Sequence, residues 1–285
     1  MPKTLDTLVS DIYEVLDEAT DHTPCEANVE AAGEQLKALL RDHFNRREER
    51  TGEAVLRFSS IGKKDRQIWY ASRNAPREKL PPKTLFKFLY GHVLELLMLF
   101  LAKEAGHTVT HEQFEVESNG VKGHMDAVID GVVVDCKSAS PYSFQKFKSG
   151  EFVFDDPFGY IPQISGYANE LGLTKEAAFF VSDKVHGDLA IAPVDEITIK
   201  GNPPGPRIER LKDIIRSDEP PPRCYDLVPE GKSGNLKLST PCSYCDFKEI
   251  CWADANDGRG LRKFLYSKGP VWLGKVVKEP NVTEF

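Results

Sequence analysis

The sequence predicts an α/β protein, a mixed central sheet flanked by helices, and three observations predict it. Residues 84–105 are apolar nearly all round and are stopped by Gly106, the pattern of a long helix that a core covers. The period then changes: residues 108–118, 121–129 and 132–138 read as an antiparallel meander whose turns are Asn119-Gly120 and Asp130-Gly131, both type I′ hairpin signals. Beyond it the periods alternate, with a helix over 157–171, strands over 177–182 and 189–194, and a helix over 207–216.

The flanking segments follow in order. Over residues 1–50, Leu5, Leu8, Val9, Ile12 and Leu16, then Ala31, Leu36, Leu39 and Leu40, recur at helical spacing. They predict two helices separated by a break at 21–25 and ending in a basic run that includes Arg41, Arg46, Arg47 and Arg50. Residues 57–80 are basic and aromatic and are closed by Pro81-Pro82; residues 201–206 and 220–222 read as linkers. The expected organisation is a helical N-terminal region over 1–80, a core over 81–200, and a linker with a small cysteine-bearing annex over 201–285.

Composition narrows the function classes. With 285 residues, 40% hydrophobic and 28% charged, the chain is globular rather than disordered. A chain of that size buries about three quarters of its surface on folding and needs no disulfide staple. Glu95 interrupts the apolar run at 93–102, which is shorter than the roughly 20 apolar residues a bilayer requires. The N-terminus is acidic and lacks the apolar core of a signal peptide. The expectation is a soluble, cytoplasmic protein with no membrane partner. A net charge of −7 argues against a chain-wide nucleic-acid coat but leaves room for a local basic groove. Of the 6 cysteines, Cys224, Cys242, Cys245 and Cys251 crowd together, which suits a metal or cluster site better than a disulfide framework.

The chemistry concentrates on the second hairpin. With Asp130-Gly131 as a two-residue loop, Ile129 faces Val132, and stepping outward sets Asp126 directly across from Asp135. Lys137 shares the face of Asp135, whereas Cys136 points to the opposite face and reads as core packing. Opposed carboxylates destabilise a hairpin unless a cation or a shared proton lies between them. Glu95 adds a third acid on a helix expected to be buried, where an unpaired carboxylate costs several kcal/mol, roughly. Three acids and a lysine converging in this way describe a hard-cation site for Mg²⁺ or Mn²⁺.

These residues carry a resemblance. Gly91-His92-Val93-Leu94-Glu95, Gly123-His124-Met125-Asp126 and Asp135-Cys136-Lys137 resemble the successive motifs of the PD-(D/E)XK nuclease superfamily. Gln163-x-x-x-Tyr167 is similar to the additional motif of its RecB-like branch, which includes phage exonucleases. The resemblance implies a restriction-endonuclease-like core. It implies that Glu95, Asp126, Asp135 and the backbone carbonyl of Cys136 hold the metal. Lys137 would position or deprotonate the attacking water and stabilise the pentacovalent phosphate. Gln163 and Tyr167 would contact the DNA strand near the scissile phosphate; an amphipathic helix with a half-buried tyrosine is the plainer reading of that pair. His92, one turn from Glu95, is either a supporting group or a satisfied histidine.

Two further features extend the likeness. Cys242-x-x-Cys245-x5-Cys251 has the spacing of relatives that carry an iron–sulfur cluster, whose fourth cysteine lies far upstream. This chain has no cysteine in that upstream segment, which makes Cys224 the first candidate for fourth ligand and Cys25 the second. The expected group is a [4Fe–4S] cluster, with structural Zn²⁺ as the alternative. Lys63, Lys64, Arg66, Trp69 and Tyr70 interleave cations with aromatics, which describes either a strand-binding wall or a solvated basic surface with Trp69 in the core. The activity implied is a metal-dependent DNA exonuclease leaving 5′-phosphate and 3′-hydroxyl ends, in phage or bacterial recombination, replication or DNA degradation. Its partners would be linear DNA ends or single strands, with recombination or replication proteins. The alternatives are a structure-specific endonuclease of the same fold and a non-catalytic DNA-binding module organised by its cysteine-ligated metal.

Overall fold

Leu5, Leu8 and Ile12 recur every three or four residues and are all buried, so α1 (Leu5–Leu16) forms with one stripe turned inward. A computed structural model describes residues 3–45 and 50–285 of the chain, so that Arg46 and Arg47 lie outside the described residues. α2 (Glu26–His43) buries no side chain completely. The short α3 (Phe58–Ile61) and α4 (Asp65–Ser72) follow, then α5 (Pro82–Glu104), begun by a proline in its first turn.

The strands β1 (Val109–Thr110), β2 (Phe114–Ser118), β3 (Val121–Met125), β4 (Ala127–Ile129) and β5 (Val132–Ala139) come next. After α6 (Pro141–Lys148) and α7 (Tyr160–Glu170) the chain adds β6 (Glu176–Asp183) and β7 (Leu189–Asp195), then α8 (Glu196–Gly201) and α9 (Pro204–Arg216). The central sheet runs β1-β4-β5-β6-β7, with β5 and β6 parallel and every other pair antiparallel. One face packs on α1 and α5 through Ala127, Ile129, Val134, Cys136, Ala178 and Phe180. On the other, Phe179 meets Phe147, Phe152 and Tyr160. The chain is thus α/β, with a mixed central sheet between helices.

Both predicted turns form. Asn119-Gly120 and Asp130-Gly131 all have positive φ, and Ser118 pairs Val121 as Ile129 pairs Val132. The meander does not. Its middle strand breaks at Asp126: β3 pairs with β2 in a separate two-stranded sheet, and β4 pairs with β1 and β5. His111 and Gln113 adopt positive φ just before β2, and the Gln113 amide donates to the Asp126 carbonyl at 3.1 Å. The break thereby lifts Asp126 out of both ladders.

Two other expectations change. The long helix is not buried along its length: Met98, Leu99 and Ala102 are in the core, whereas Leu85, Phe86 and Phe88 are exposed. By length and composition α5 is long and apolar enough to cross a membrane, and only 17% of its most apolar window is buried. It nevertheless packs against α1, α2 and β5, which is compatible with a soluble chain. Nor does the N-terminal region stand apart. One unit comprises Met1–Glu48, Leu56–Gly62 and Pro81–Glu209; the other comprises Glu49–Val55, Lys63–Leu80 and Arg210–Phe285. α1 joins the core because its apolar stripe completes the cluster around Met98 and Leu99.

The second unit contains α4 and a four-stranded sheet, β8 (Val228–Pro229), β9 (Leu236–Lys237), β10 (Arg262–Tyr266) and β11 (Gly269–Lys275), ordered β10-β11-β9-β8. Its core is small: Leu238, Trp252, Ala255 and Trp272, with Leu227, Cys242, Cys251 and Leu261 packed against them. Cys242 lies in α10 (Thr240–Ser243) and Cys251 closes α11 (Lys248–Cys251).

Candidate metal centre

Asp126 lies just before β4, one residue beyond the Ala127–Val134 pair, and close enough to Asp135 for their charges to oppose. Its Oδ2 accepts the backbone N–H of Cys136 at 2.7 Å, which ties the carboxylate across the strands. Asp135 is 3% exposed, and its Oδ2 is buried without a well-formed hydrogen bond; its counter-charge is the ammonium of Lys137, with which it forms an ion pair. The Lys137 ammonium also lies 4.9 Å from the Tyr160 ring centroid.

Burial pushes the Asp126 carboxyl well above its ordinary value, and the nearby Asp135 and Glu95 push it the same way. Burial raises Asp135 too, against the pull of Lys137. For Lys137 burial acts against the charged form, but Asp135 and Asp126 outweigh it and hold the ammonium above its usual range. The cluster is therefore strained electrostatically by having more negative charge than its one lysine offsets.

Glu95 reaches this cluster from α5, but in this arrangement its Oε1 accepts from Gln113 Nε2 at 2.7 Å, and its Oε2 lies 3.9 Å from His92 Nδ1. His92 is exposed. Gln113 is the residue that sequence reasoning missed; its isolated amide carries no motif, and only the turn that gives it positive φ brings it to both Glu95 and Asp126. Cys136 sits with its thiol in the core on the α1/α5 side, where burial raises its pKa, as expected for the strand face opposite Asp135.

The donor types are those that suit a hard divalent cation. The cluster offers carboxylate oxygens of Asp126, Asp135 and Glu95, with Asp135 already paired to Lys137, in a place where anionic charge is in excess. Glu95 must leave Gln113 to join it.

Tyr167 corrects an expectation. It is 2% exposed, stacks on Phe58 at 5.0 Å between centroids, and donates its hydroxyl to the His124 carbonyl at 2.9 Å. It thus cannot touch a DNA strand; it anchors the strand that leads into Asp126. Gln163, half-buried on the same helix face, lies 3.5 Å from the Tyr167 hydroxyl and is the polar member left near the surface. Close packing around Phe58 needs Gly123 and Gly166, since a Cβ on Gly123 would stand 2.5 Å from the Phe58 Cβ and one on Gly166 2.8 Å from its ring.

The basic-aromatic segment does not form one wall. Arg66 donates to the Pro221 carbonyl at 2.5 Å and to the Tyr70 hydroxyl at 3.2 Å, while Tyr70 is buried and stacked on Phe247. Trp69 donates to the Ser217 carbonyl at 3.0 Å and lies under the Arg73 guanidinium. These three are internal contacts of the second unit, because α4 packs into it rather than standing off. Lys64 is exposed beside the Tyr225 ring and Lys63 is half-buried.

All four clustered cysteines lie in that unit, and Arg66 hydrogen-bonds Cys251. Burial pushes the Cys245 thiol up to about 11 and raises Cys224 and Cys242, and each of the three is raised further by Cys251 nearby. Cys25 belongs to the other unit, where its amide donates to Glu104 at 3.0 Å. Cys224 is the candidate for fourth ligand that shares a unit with Cys242, Cys245 and Cys251.

Asp183, His186 and Asp188 also bring ligand atoms within 4.8 Å of one another. They belong to the β6–β7 turn: Asp183 accepts from the Val185 amide at 2.9 Å and meets His186 at 2.8 Å, and the Asp188 carbonyl accepts from the Asp183 amide at 2.8 Å. The group is accounted for as a turn device.

No protein-family model and no curated protein matches this chain. Among solved structures, one titled "Crystal structure of SSO0001" is similar at 17% identity and a TM-score of 0.40, over 76% of this chain and 93% of that one. At that level of likeness, neither fold nor activity is carried over from it.

Proposed function

We propose that this chain is a divalent-metal-dependent deoxyribonuclease with a restriction-endonuclease-like core, acting as an exonuclease that leaves 5′-phosphate and 3′-hydroxyl ends. The observation that carries the reading is the opposition of Asp126 and Asp135 across a hairpin, with Lys137 on the same face and Glu95 beside them. A binding module gains nothing from like charges set against each other at a cost in stability.

In this reading Asp126, Asp135, Glu95 and the Cys136 carbonyl hold Mg²⁺ or Mn²⁺, which when bound supplies Lewis-acid activation of water and of the phosphate. Asp135 is fixed within β5 and Asp126 is tied to it through the Cys136 amide, whereas Glu95 has to turn from Gln113 to complete the set. Lys137 places its ammonium beside the position of the attacked phosphate and stabilises the charge that builds there. Gln163 orients the strand next to it. The four cysteines of the second unit hold a [4Fe–4S] cluster, for which thiols gathered in one small unit, partly shielded from solvent at Cys242, Cys245 and Cys251, are suited; Zn²⁺ is the competing occupant.

The test is digestion of end-labelled linear duplex, linear single strand and covalently closed circular DNA in Mg²⁺ and in Mn²⁺. Loss of the linear forms with the circle spared supports the exonuclease; cutting of the circle makes it an endonuclease. Lys137→Ala is expected to lower turnover on the order of 10²–10³-fold, the range for losing one group that stabilises developing charge. Wild-type turnover in Asp135→Ala would remove this site from the mechanism.

A further inference from the structure

The first turns of α5 project apolar rings into solvent while lysines surround them. Phe86 is 65% exposed, its ring centroid 5.9 Å from that of Tyr90. Lys184, the residue after β6, places its Nζ 5.9 Å from the Tyr90 ring, and its amide donates to the Ala139 carbonyl at the end of β5. Lys87 lies close enough to Lys184 that the two ammonium groups oppose each other, and burial disfavours the charge on Lys184 in the same direction. Among the described residues no carboxylate is paired with either: Asp183 is turned to Val185 and His186 within its own loop, and α5 has no acid before Glu95. Like charges gathered over aromatic rings form a place that an external anion would complete.

Its position is as informative as its charge. β5 and β6 are parallel, and the patch lies at their carboxyl ends, the side of an open α/β sheet where ligands bind. Gly91 lets α5 close on that end, because a Cβ there would stand 3.3 Å from the Ser138 hydroxyl, next to Lys137. Tyr90 is about 7.5 Å of helix rise from Glu95, roughly two nucleotide steps at about 3.4 Å each.

We propose that Phe86, Lys87, Tyr90 and Lys184 form a platform that holds a single-stranded DNA end. Bases stack on Phe86 and Tyr90, and the phosphates between them lie against the two lysines. The platform delivers that strand to the Glu95–Asp126–Asp135 centre, and it rests on the nuclease reading above. A second copy of the chain is a poorer occupant, since pairing two such patches would bring Lys83, Lys87 and Lys184 against their own counterparts.

The experiment measures binding of a fluorescent single-stranded oligonucleotide to the full-length protein in EDTA across a salt series, with sedimentation on the same samples. Phe86→Ala is expected to weaken binding roughly 5- to 100-fold, the range for one lost base stack, and Phe86→Trp to retain it. Lys184→Ala is expected to flatten the dependence of log affinity on log salt by about 0.7, the share of one single-strand phosphate contact. Unchanged affinity and slope in these variants, with metal-dependent cleavage intact, would overturn the platform and leave the nuclease reading standing. A Phe86→Ala protein that loses self-association while binding DNA normally would assign the face to a second copy. A wild-type protein that neither binds nor cuts DNA would overturn both readings.

Discussion

Asp126 is the residue at which function opposes stability. Its carboxyl is raised by burial and by Asp135 and Glu95, so the folded, ion-free protein holds a proton there at pH values where the unfolded chain, near the ordinary carboxylate value of about 4, has lost it. The sign follows: stability from this group is present below the unfolded pKa and is lost as pH rises through the raised folded value. Asp126→Asn therefore stabilises the ion-free protein at pH 7.5, and the gain shrinks on acidification toward pH 4. Thermal denaturation in EDTA across that range reads it, each kcal/mol appearing as roughly 2–4 °C for a unit of this size. A gain that does not vary with pH would place the strain elsewhere. Gln113 gives a second prediction. Its hydrogen bond to Glu95 competes with ligation, so Gln113→Ala is expected to tighten Mn²⁺ binding measured by calorimetry, by roughly 5- to 30-fold if a charge-assisted hydrogen bond of about 1–2 kcal/mol is released. Weaker binding would make Gln113 a support for Glu95 instead.

At the scale of elements, what the sequence made legible was local. Asn119-Gly120 and Asp130-Gly131 fix their hairpins because both residues of a type I′ turn need positive φ, and register follows from the turn. That was enough to oppose Asp126 to Asp135. The break at Asp126 was not legible, since 121–129 carries no Gly-Pro turn signal at that point and the kink coincides with a backbone bond from the distant Gln113. The exposure of α5 was equally hidden: an apolar composition records what a helix can bury, and only Met98, Leu99 and Ala102 near its end are fully covered. Tyr167 shows the same limit, since helical spacing to Gln163 does not say which of the two faces the core. Its buried role carries a prediction. Tyr167→Phe leaves the His124 carbonyl without its donor and is expected to cost about 1–3 kcal/mol. Gly123→Ala drives a methyl into Phe58 and is expected to cost about 1–3 kcal/mol by overpacking. Chemical denaturation reads both, and a neutral Gly123→Ala would mean that Phe58 moves aside freely.

For the molecule as a whole, the two units differ in how they are held. The first has a five-stranded sheet buried on both faces. The second has short strands and a core of Leu238, Trp252, Ala255 and Trp272, with two of the cysteines packed at its edge. A core that small leaves little net stability once chain entropy is set against it, and such folds depend on a staple. In the proposed reading the cysteine-held group is that staple. Losing it would loosen the second unit and leave the first folded. Protein purified without oxygen is expected to absorb broadly near ~400 nm, as iron–sulfur clusters do. Cys224→Ser is expected to lose that colour and to become protease-sensitive within 210–285, while a fragment containing the 81–209 core survives. A colourless protein with one zinc per chain would replace the cluster with a structural ion and keep the staple argument. Protection of 210–285 in the variant equal to wild type would show that the thiols hold nothing the second unit needs.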